Sequence, residues 1–417
     1  MRFPPHPPRP AVAAAATALA ALCLHAPARA GLGFDEALRL ARARAPAVLA
    51  QQHALAGAQA QRPAAGTLPD PRLAVGLENL PISGPDRYAL TRDFMTMQRI
   101  ALMQDVPNAA KRAAREAGAQ ARVERERTML AVADLAAKRD AALAWLGVYF
   151  SESRVAQLVA LQRENQLLQD TLDARIAAGR AMPADRPMAQ ADALMLADRR
   201  DDAARDIAKA RSALRRWVGA RADEPLDGPV PSIALSPDQT RADMQRHAEI
   251  APYAPMAAMA RAEASEADAE QKGDWGWELA YQKRGPQYGD MVSFQLTFDL
   301  PWNRAQRQRP QLAAKLKDLE RIEAEREDAM RRHRDELDGQ LAELAALDAQ
   351  RARLDAQGLP LAAERVALTL ASYQAGRADL AAVLAARRDA LEARLRLIDL
   401  DAQRLALRVR LTTLIAD

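Results

Sequence analysis

Val292-Ser293-Phe294-Gln295-Leu296-Thr297-Phe298-Asp299-Leu300 alternates apolar and polar residues without a slip. Side chains on a strand point to opposite faces with a period of two, so this stretch reads as a strand with one greasy face and one hydrophilic face. Just upstream, Trp275, Trp277, Leu279 and Tyr281 alternate with Gly276, Glu278, Ala280 and Gln282. Gly285, Pro286, Gly289 and Asp290 supply the turn between the two runs. Seven of the 17 aromatic residues fall between Trp275 and Trp302, which concentrates them on this hairpin. A length of about ten residues suits a tilted strand that crosses a membrane. Two earlier runs have the same character. Leu73, Val75 and Leu77 alternate with Ala74, Gly76 and Glu78, and a second run lies from Phe94 to Gln104. The latter reads as the poorest of the four, because Arg99 shares a face with Met97 and Ala101.

Outward from these strands the chain is helical. It has 417 residues, 49% of them apolar but only 4% aromatic. Alanine dominates, so long helices packed through small side chains fit better than a compact enzyme core. From Pro107 to Pro183 there is no proline, and Leu130, Val132, Leu135, Leu143 and Leu146 recur at helical spacing. About 70 helical residues would run roughly 105 Å. A second long helical stretch is expected from Asn303 to Tyr373, with a break at Gly358-Leu359-Pro360. Returning helices follow from Ala184 to Val218 and from Leu380 onward. Helices this long and thin cannot bury an apolar stripe against themselves, so they must pair as coiled coils.

The plan is written twice. Ala178-Gly179-Arg180-Ala181 recurs as Ala375-Gly376-Arg377-Ala378, and Asp192-Ala193-Leu194 recurs as Asp389-Ala390-Leu391 at the same offset. Gln104-Asp105-Val106-Pro107-Asn108 is echoed by Phe298-Asp299-Leu300-Pro301-Trp302, and Ala45-Pro46 by Ala251-Pro252. Landmarks in the same order at nearly constant spacing indicate a tandem duplication. The organisation expected is an export signal over 1–30, a first repeat over 31–220, a linker over 221–240 and a second repeat over 241–417.

Arg2 and Arg9 precede the apolar run Ala11 to Leu24, and Ala28-Arg29-Ala30 offers small residues for cleavage. This is an export signal, too short to be a spanning helix. Its removal takes Arg2, Arg9 and Arg29 and lowers the net charge from +4 to +1. Cys23, the only cysteine, goes with it; bulky Leu22 before it argues against lipidation. The processed chain then has neither disulfide nor thiolate ligand. Charges alternate along the helices instead of forming a basic face, so nucleic acid is not a partner.

Four strands cannot close a barrel, which needs about eight. An open sheet in lipid would leave two unpaired edges, each orphan group costing several kcal/mol. Several exported chains pooling their strands would solve this, three of them giving twelve strands and twelve helical stretches. A soluble periplasmic coiled-coil scaffold or adaptor is the competing reading. An adaptor would carry a small glycine- and valine-rich β-barrel domain, for which the sequence offers no candidate.

At this point the chain resembles the outer-membrane factors of the TolC type. The resemblance runs from Phe34-Asp35-Glu36-Ala37-Leu38 onward. Pro69-Asp70-Pro71-Arg72-Leu73, with Gly76 and Asn79-Leu80-Pro81, and Gln104-Asp105-Val106-Pro107 with Lys111-Arg112 are similar to the heavy-metal-efflux branch. That branch commonly has an aromatic and a glycine where Val106 and Ala110 stand. The resemblance implies a mainly α-helical homotrimer. Its antiparallel coiled-coil helices would form an α-barrel in the periplasm, and four strands per chain would join a twelve-stranded β-barrel in outer-membrane lipid. It implies a passive exit duct, not an enzyme, that works without cofactors and serves a periplasmic adaptor and an inner-membrane pump. Metal cations are the expected cargo.

The resemblance also directs attention to particular residues. Trp275, Trp277, Tyr281, Phe294 and Phe298 are the expected membrane-facing residues. Tyr373, Gly376, Arg377 and Asp379 surround the second glycine turn, where the family closes its channel. Tyr373 aligns with the family's gate tyrosine, Arg377 is displaced by one position, and Ala382 and Ala385 stand where the family has later gate aspartates. Gly179, Arg180 and Asp185 at the first turn are the expected adaptor contact. Only His53, His247 and His333 survive processing, none within helical ligand spacing of another, so no metal ligand set is expected. Met256 and Met259 at i,i+3, and Met95, Met97 and Met103, read as packing. No catalytic constellation is present in the sequence.

Overall fold

The computed structural model describes residues 31–415. The expected export signal, Cys23 included, lies outside the described residues. In chain order come β1 (Leu32–Gly33), α1 (Phe34–Arg44), α2 (Pro46–Gln61), β2 (Arg72–Glu78), β3 (Met97–Val106), α3 (Ala109–Ala177) and α4 (Asp185–Val218). Then follow β4 (Leu226–Asp227), α5 (Pro237–Ala242), α6 (Tyr253–Ala269), β5 (Trp275–Lys283), β6 (Met291–Phe298), α7 (Gln308–Arg353), α8 (Leu359–Gln374) and α9 (Leu380–Thr412). Among the described residues no helix is long and apolar enough to cross a membrane.

The 69 residues of α3 make one uninterrupted helix, about 100 Å long at 1.5 Å per residue. Its start is fixed by Asn108, whose side-chain oxygen accepts the Lys111 N–H at 2.9 Å, the bond expected of an N-cap. Its far end is closed by Gly179 at φ 68°. Gly179 N–H bonds Ile176 O at 3.0 Å and Arg180 N–H bonds Arg175 O at 2.8 Å, the paired bonds of a Schellman stop. The end of α8 repeats this motif: Gly376 sits at φ 71°, Gly376 N–H meets Tyr373 O at 3.0 Å and Arg377 N–H meets Ser372 O at 2.9 Å.

The expected break at Gly358-Leu359-Pro360 is not a break. Leu354–Gly358 widens into a π-helical turn and the helical path continues into α8. Pro360 has no N–H to give, and its ring would clash with the carbonyl four residues earlier in an α-turn. One wider turn relieves both problems without ending the helix.

Two compact units divide the described chain, the first comprising residues 31–43, 140–232 and 350–406 and the second residues 44–139, 233–349 and 407–415. In the first unit, Leu168, Leu172, Ala189, Tyr373, Leu380, Val383 and Leu384 form one core cluster. Leu158, Leu161, Leu196 and Leu391 form another. Helices that could not stand alone therefore share apolar seams, as the sequence demands. Trp145 is fully buried, donates its indole N–H to Leu32 O at 3.0 Å, stacks on Tyr149 and meets Phe34 edge-on. This anchors β1, which pairs in parallel with β4.

In the second unit, Ala257, Ala260 and Ile322 pack α6 against α7, with Met256 lying against them, the packing role expected for that methionine. A Cβ on Gly118 would sit 3.5 Å from that of Ala262, so α3 and α6 approach through small residues. The same unit carries a four-stranded antiparallel sheet in the order β2-β3-β5-β6. Strands β2 and β6 are its edges.

Candidate functional site

The sheet register decides what each strand face does. Leu73 lies opposite Leu102, Leu102 opposite Leu279, and Leu279 opposite Phe294. The next row on that face is Val75, Ile100, Tyr281 and Val292. Two complete apolar rows therefore cross all four strands. They are exposed: Val75 is 73%, Val292 69% and Phe294 64% accessible. Toward one end of the sheet, Trp275 lies opposite Phe298 and Trp277 opposite Leu296. All five aromatic residues expected to face lipid thus share this face.

The other face is polar or small apart from Met97, Met103 and Met291. Ala74, Ala101, Ala280 and Ser293 form one row, and Gly76, Arg99, Gln282 and Met291 the next. Here the structure corrects the reading of β3. Arg99 does share a face with Met97 and Ala101, but that is the polar face, and Ile100, Leu102 and Val106 supply the apolar one. Gln98 and Gln104 interrupt that apolar face, so β3 remains the poorest of the four strands, but not because of Arg99. Arg99 forms ion pairs with Glu78 at 3.3 Å and with Glu278, so its charge is matched across three strands.

The sheet joins the helices at a charged corner. Asn108 donates its backbone N–H to Asp274 Oδ1 at 2.9 Å and its side-chain amide to Ala269 O at 3.0 Å. Lys111 Nζ reaches Asp274 Oδ2 at 3.2 Å and Glu270 at 3.4 Å. Burial alone would raise the Asp274 carboxyl, but the Asn108 N–H and the Lys111 ammonium outweigh it and hold the group below its usual value. Gly273 at φ 62° is required here, since a Cβ would fall 2.1 Å from Asp299 O. The Asn108 and Lys111 motif residues noted in the sequence thus start α3 and fasten it to the strand β5.

At the two glycine turns of the first unit, the expected site residues part company. Arg377 and Asp379 are exposed and Tyr373 is 4% accessible. Asp379 caps α9 by accepting the Ala382 N–H at 2.9 Å. The Tyr373 hydroxyl donates to Asp185 at 3.3 Å and Arg175 lies over its ring at 4.5 Å. Burial, then the Asp185 carboxylate, push the Tyr373 phenol above its usual value, so it stays a neutral donor. At the first turn Gly179 and Arg180 are exposed, but Asp185 is buried and also accepts the Met182 N–H at 3.1 Å. The structure brings Tyr373 and Asp185, expected at two separate sites, into one contact.

One cluster escaped the sequence entirely. His247 and His333, both buried, place their Nδ1 and Nε2 atoms 2.6 Å apart. Burial, then the neighbouring His333, hold the His247 imidazole below its usual value. They are 86 residues apart, and no spacing rule links a loop histidine to one on a distant helix.

No protein-family model matches the sequence, and no curated protein matches it significantly. Solved structures do match. A membrane protein from Pseudomonas aeruginosa aligns at TM-score 0.78 and 17% identity, over 91% of this chain and 89% of that one. The outer membrane protein VceC from Vibrio cholerae aligns at TM-score 0.75 and 19% identity, over 91% and 95%. The chain has the fold of an outer-membrane channel. CusC, described in connection with transmembrane channel formation, aligns at TM-score 0.77 and 14% identity, over 92% of both chains. The long helices, the glycine turns and the exposed sheet all lie within a channel fold that spans nearly the whole described chain.

Proposed function

We propose that the chain is the outer-membrane channel subunit of a tripartite efflux system, a passive duct that catalyses nothing. The observation that carries this reading is the pair of apolar rows crossing β2, β3, β5 and β6 on one face. In water such a face is unfavourable by about 25 cal/mol per Å² of apolar surface. In lipid it is the required outer surface of a barrel, with the Arg99 cluster turned toward a polar lumen.

Closure follows from strand direction. Each neighbour in the sheet is antiparallel, so the edges β2 and β6 run in opposite directions. Strand β6 of one copy can then pair antiparallel with β2 of the next, and a head-to-tail ring leaves no edge in the hydrocarbon. The resemblance selects three copies and twelve strands. In this assembly the two repeats, 31–220 and 241–417, supply equivalent helix pairs to the periplasmic barrel. Arg377 and Asp379 present charge at the closable end while Tyr373 and Gly376 set the turn behind them. Gly179 and Arg180 meet the periplasmic adaptor, with Asp185 anchoring that turn from inside. An inner-membrane pump supplies the energy. The cargo assigned here is a metal cation, supported by the likeness of Pro69 to Pro81 and Gln104 to Arg112 to the heavy-metal branch.

The test is direct. The processed protein is expected in the outer-membrane fraction, extracted only by detergent, and forming ion-conducting trimers in a planar bilayer. A stable monomer in detergent-free buffer would overturn the duct in favour of a periplasmic scaffold. Sensitivity of a deletion strain to transition-metal salts, with unchanged sensitivity to drugs, tests the cargo separately.

A further inference from the structure

Glu249, His333 and Glu336 bring three metal-binding atoms within 4.8 Å of one another. His333 and Glu336 sit three residues apart on α7, hence on one face of the helix. Glu249 arrives from the segment after His247. That segment is held by backbone bonds: Ala248 N–H to Leu414 O at 2.8 Å, and Ile250 and Ala251 N–H to His247 O at 2.9 and 2.8 Å. All four side chains belong to the second unit.

The state of His333 gives the cluster its meaning. Its side chain is 5% accessible, and Glu249 Oε2 lies 2.7 Å from Nδ1. Yet Nδ1, a buried polar atom, makes no hydrogen bond in the structure. On its other side, His333 Nε2 meets His247 Nδ1 at 2.6 Å. When Nε2 carries the ring proton and donates it to His247, Nδ1 is left with a lone pair aimed among two carboxylates. Such an arrangement is repulsive until a cation occupies it. A ligating imidazole whose second nitrogen donates to a fixed acceptor is the usual construction around a metal.

We propose that His333 Nδ1, Glu249 and Glu336 bind one divalent cation of the zinc class, with His247 orienting His333 from behind. One imidazole and two carboxylates suit borderline ions such as Zn2+ better than Ca2+ or Mg2+, which favour all-oxygen shells. Three protein ligands leave a position for water. Glu249 and Glu336 are exposed, so the ion has access from solvent and the carboxylates have room to adjust around it. The bound ion fastens the segment carrying Glu249 to α7. This site is independent of what the channel conducts.

The experiment uses the full processed chain in detergent, stripped with a chelator and titrated with Zn2+ against a chromophoric competitor. One Zn2+ per chain is expected, raising the melting temperature. Glu249→Gln combined with Glu336→Gln should weaken binding by at least about 100-fold, since even outer-shell partners contribute about 10–100-fold. Both residues are exposed, so the variant should keep the wild-type circular dichroism and metal-free melting temperature. His247→Gln should weaken binding about 10–100-fold while leaving one ion per chain. Equal zinc binding by wild type and the double variant, or none by wild type, would overturn the site. Neither result bears on bilayer conductance, which tests the duct.

Discussion

Tyr373 donates its phenolic hydrogen to Asp185 over 3.3 Å, joining residues 188 positions apart in the sequence. The two residues come from the two glycine turns of the first unit, so the turn proposed to close the duct is tied to the turn proposed to meet the adaptor. In the proposed duct, an adaptor that reoriented α4 near Asp185 would act on α8 through this bond.

That coupling predicts a separation of two effects. Tyr373→Phe keeps the ring in its apolar cluster and removes the hydroxyl, and should cost about 0.5–1.5 kcal/mol. It should raise hydrogen exchange in the last turn of α8. Replacing both Tyr373 and Arg377 by alanine removes the support and the exposed charge together, and single-channel conductance should rise. Unchanged conductance in the double variant would refute their constricting role.

A second prediction concerns the corner where the sheet meets α3. Asp274 accepts from Asn108 and pairs with Lys111, and its carboxyl is held below its usual value. A lowered native value means that its stabilisation is complete above the unfolded carboxyl value of about 3.9 and disappears as pH falls through the native one. Asp274→Asn should therefore cost about 1–3 kcal/mol at pH 7 in urea titrations. The gap from wild type should close below about pH 4. A gap that persists unchanged at pH 2 would assign the loss to packing and not to charge.

Much of this architecture was legible in the residues. Strand alternation gave β5 and β6, the absence of proline gave α3, and the Ala-Gly-Arg repeats gave two turns that prove alike bond for bond. What was not legible depended on register or on distance. Arg99 looked like a flaw in β3 because its face could not be assigned until Ile100 was paired with Tyr281. Asp185 looked like a surface residue because its partner, Tyr373, lies in the other half of the chain. The break expected before Pro360 ignored the option of a wider turn, which local sequence does not announce. His247 and His333 meet only through tertiary packing.

The register of the sheet makes a sharp distinction between faces. Phe294 lies in an apolar row and Thr297 on the polar face, three residues away on the same strand. In a lipid-embedded barrel Phe294→Arg should cost about 2–4 kcal/mol, read as a loss of heat- and urea-resistant trimer. Thr297→Arg should leave trimer stability nearly unchanged and alter ion selectivity instead. Equal tolerance of both substitutions would mean that the apolar rows do not face hydrocarbon.

The duplicated turns allow a test of equivalence. Gly179 and Gly376 have φ values of 68° and 71°, and a Cβ at either would meet nothing within 4 Å. The penalty for substitution is therefore conformational and not steric. A left-handed backbone costs an L-residue about 1–2 kcal/mol, and asparagine tolerates it better than alanine. Gly179→Ala and Gly376→Ala should each destabilise the first unit by about that amount, and the matching asparagine variants by less. Hydrogen exchange localised to the ends of α3 and α8 would read the two sites separately. If the two turns are copies of one ancestral stop, their penalties should agree, because the carbonyls they satisfy and the angles they adopt are the same. A large cost at one turn and none at the other would show that tertiary contacts, not the shared turn chemistry, hold that end of the helix pair in place.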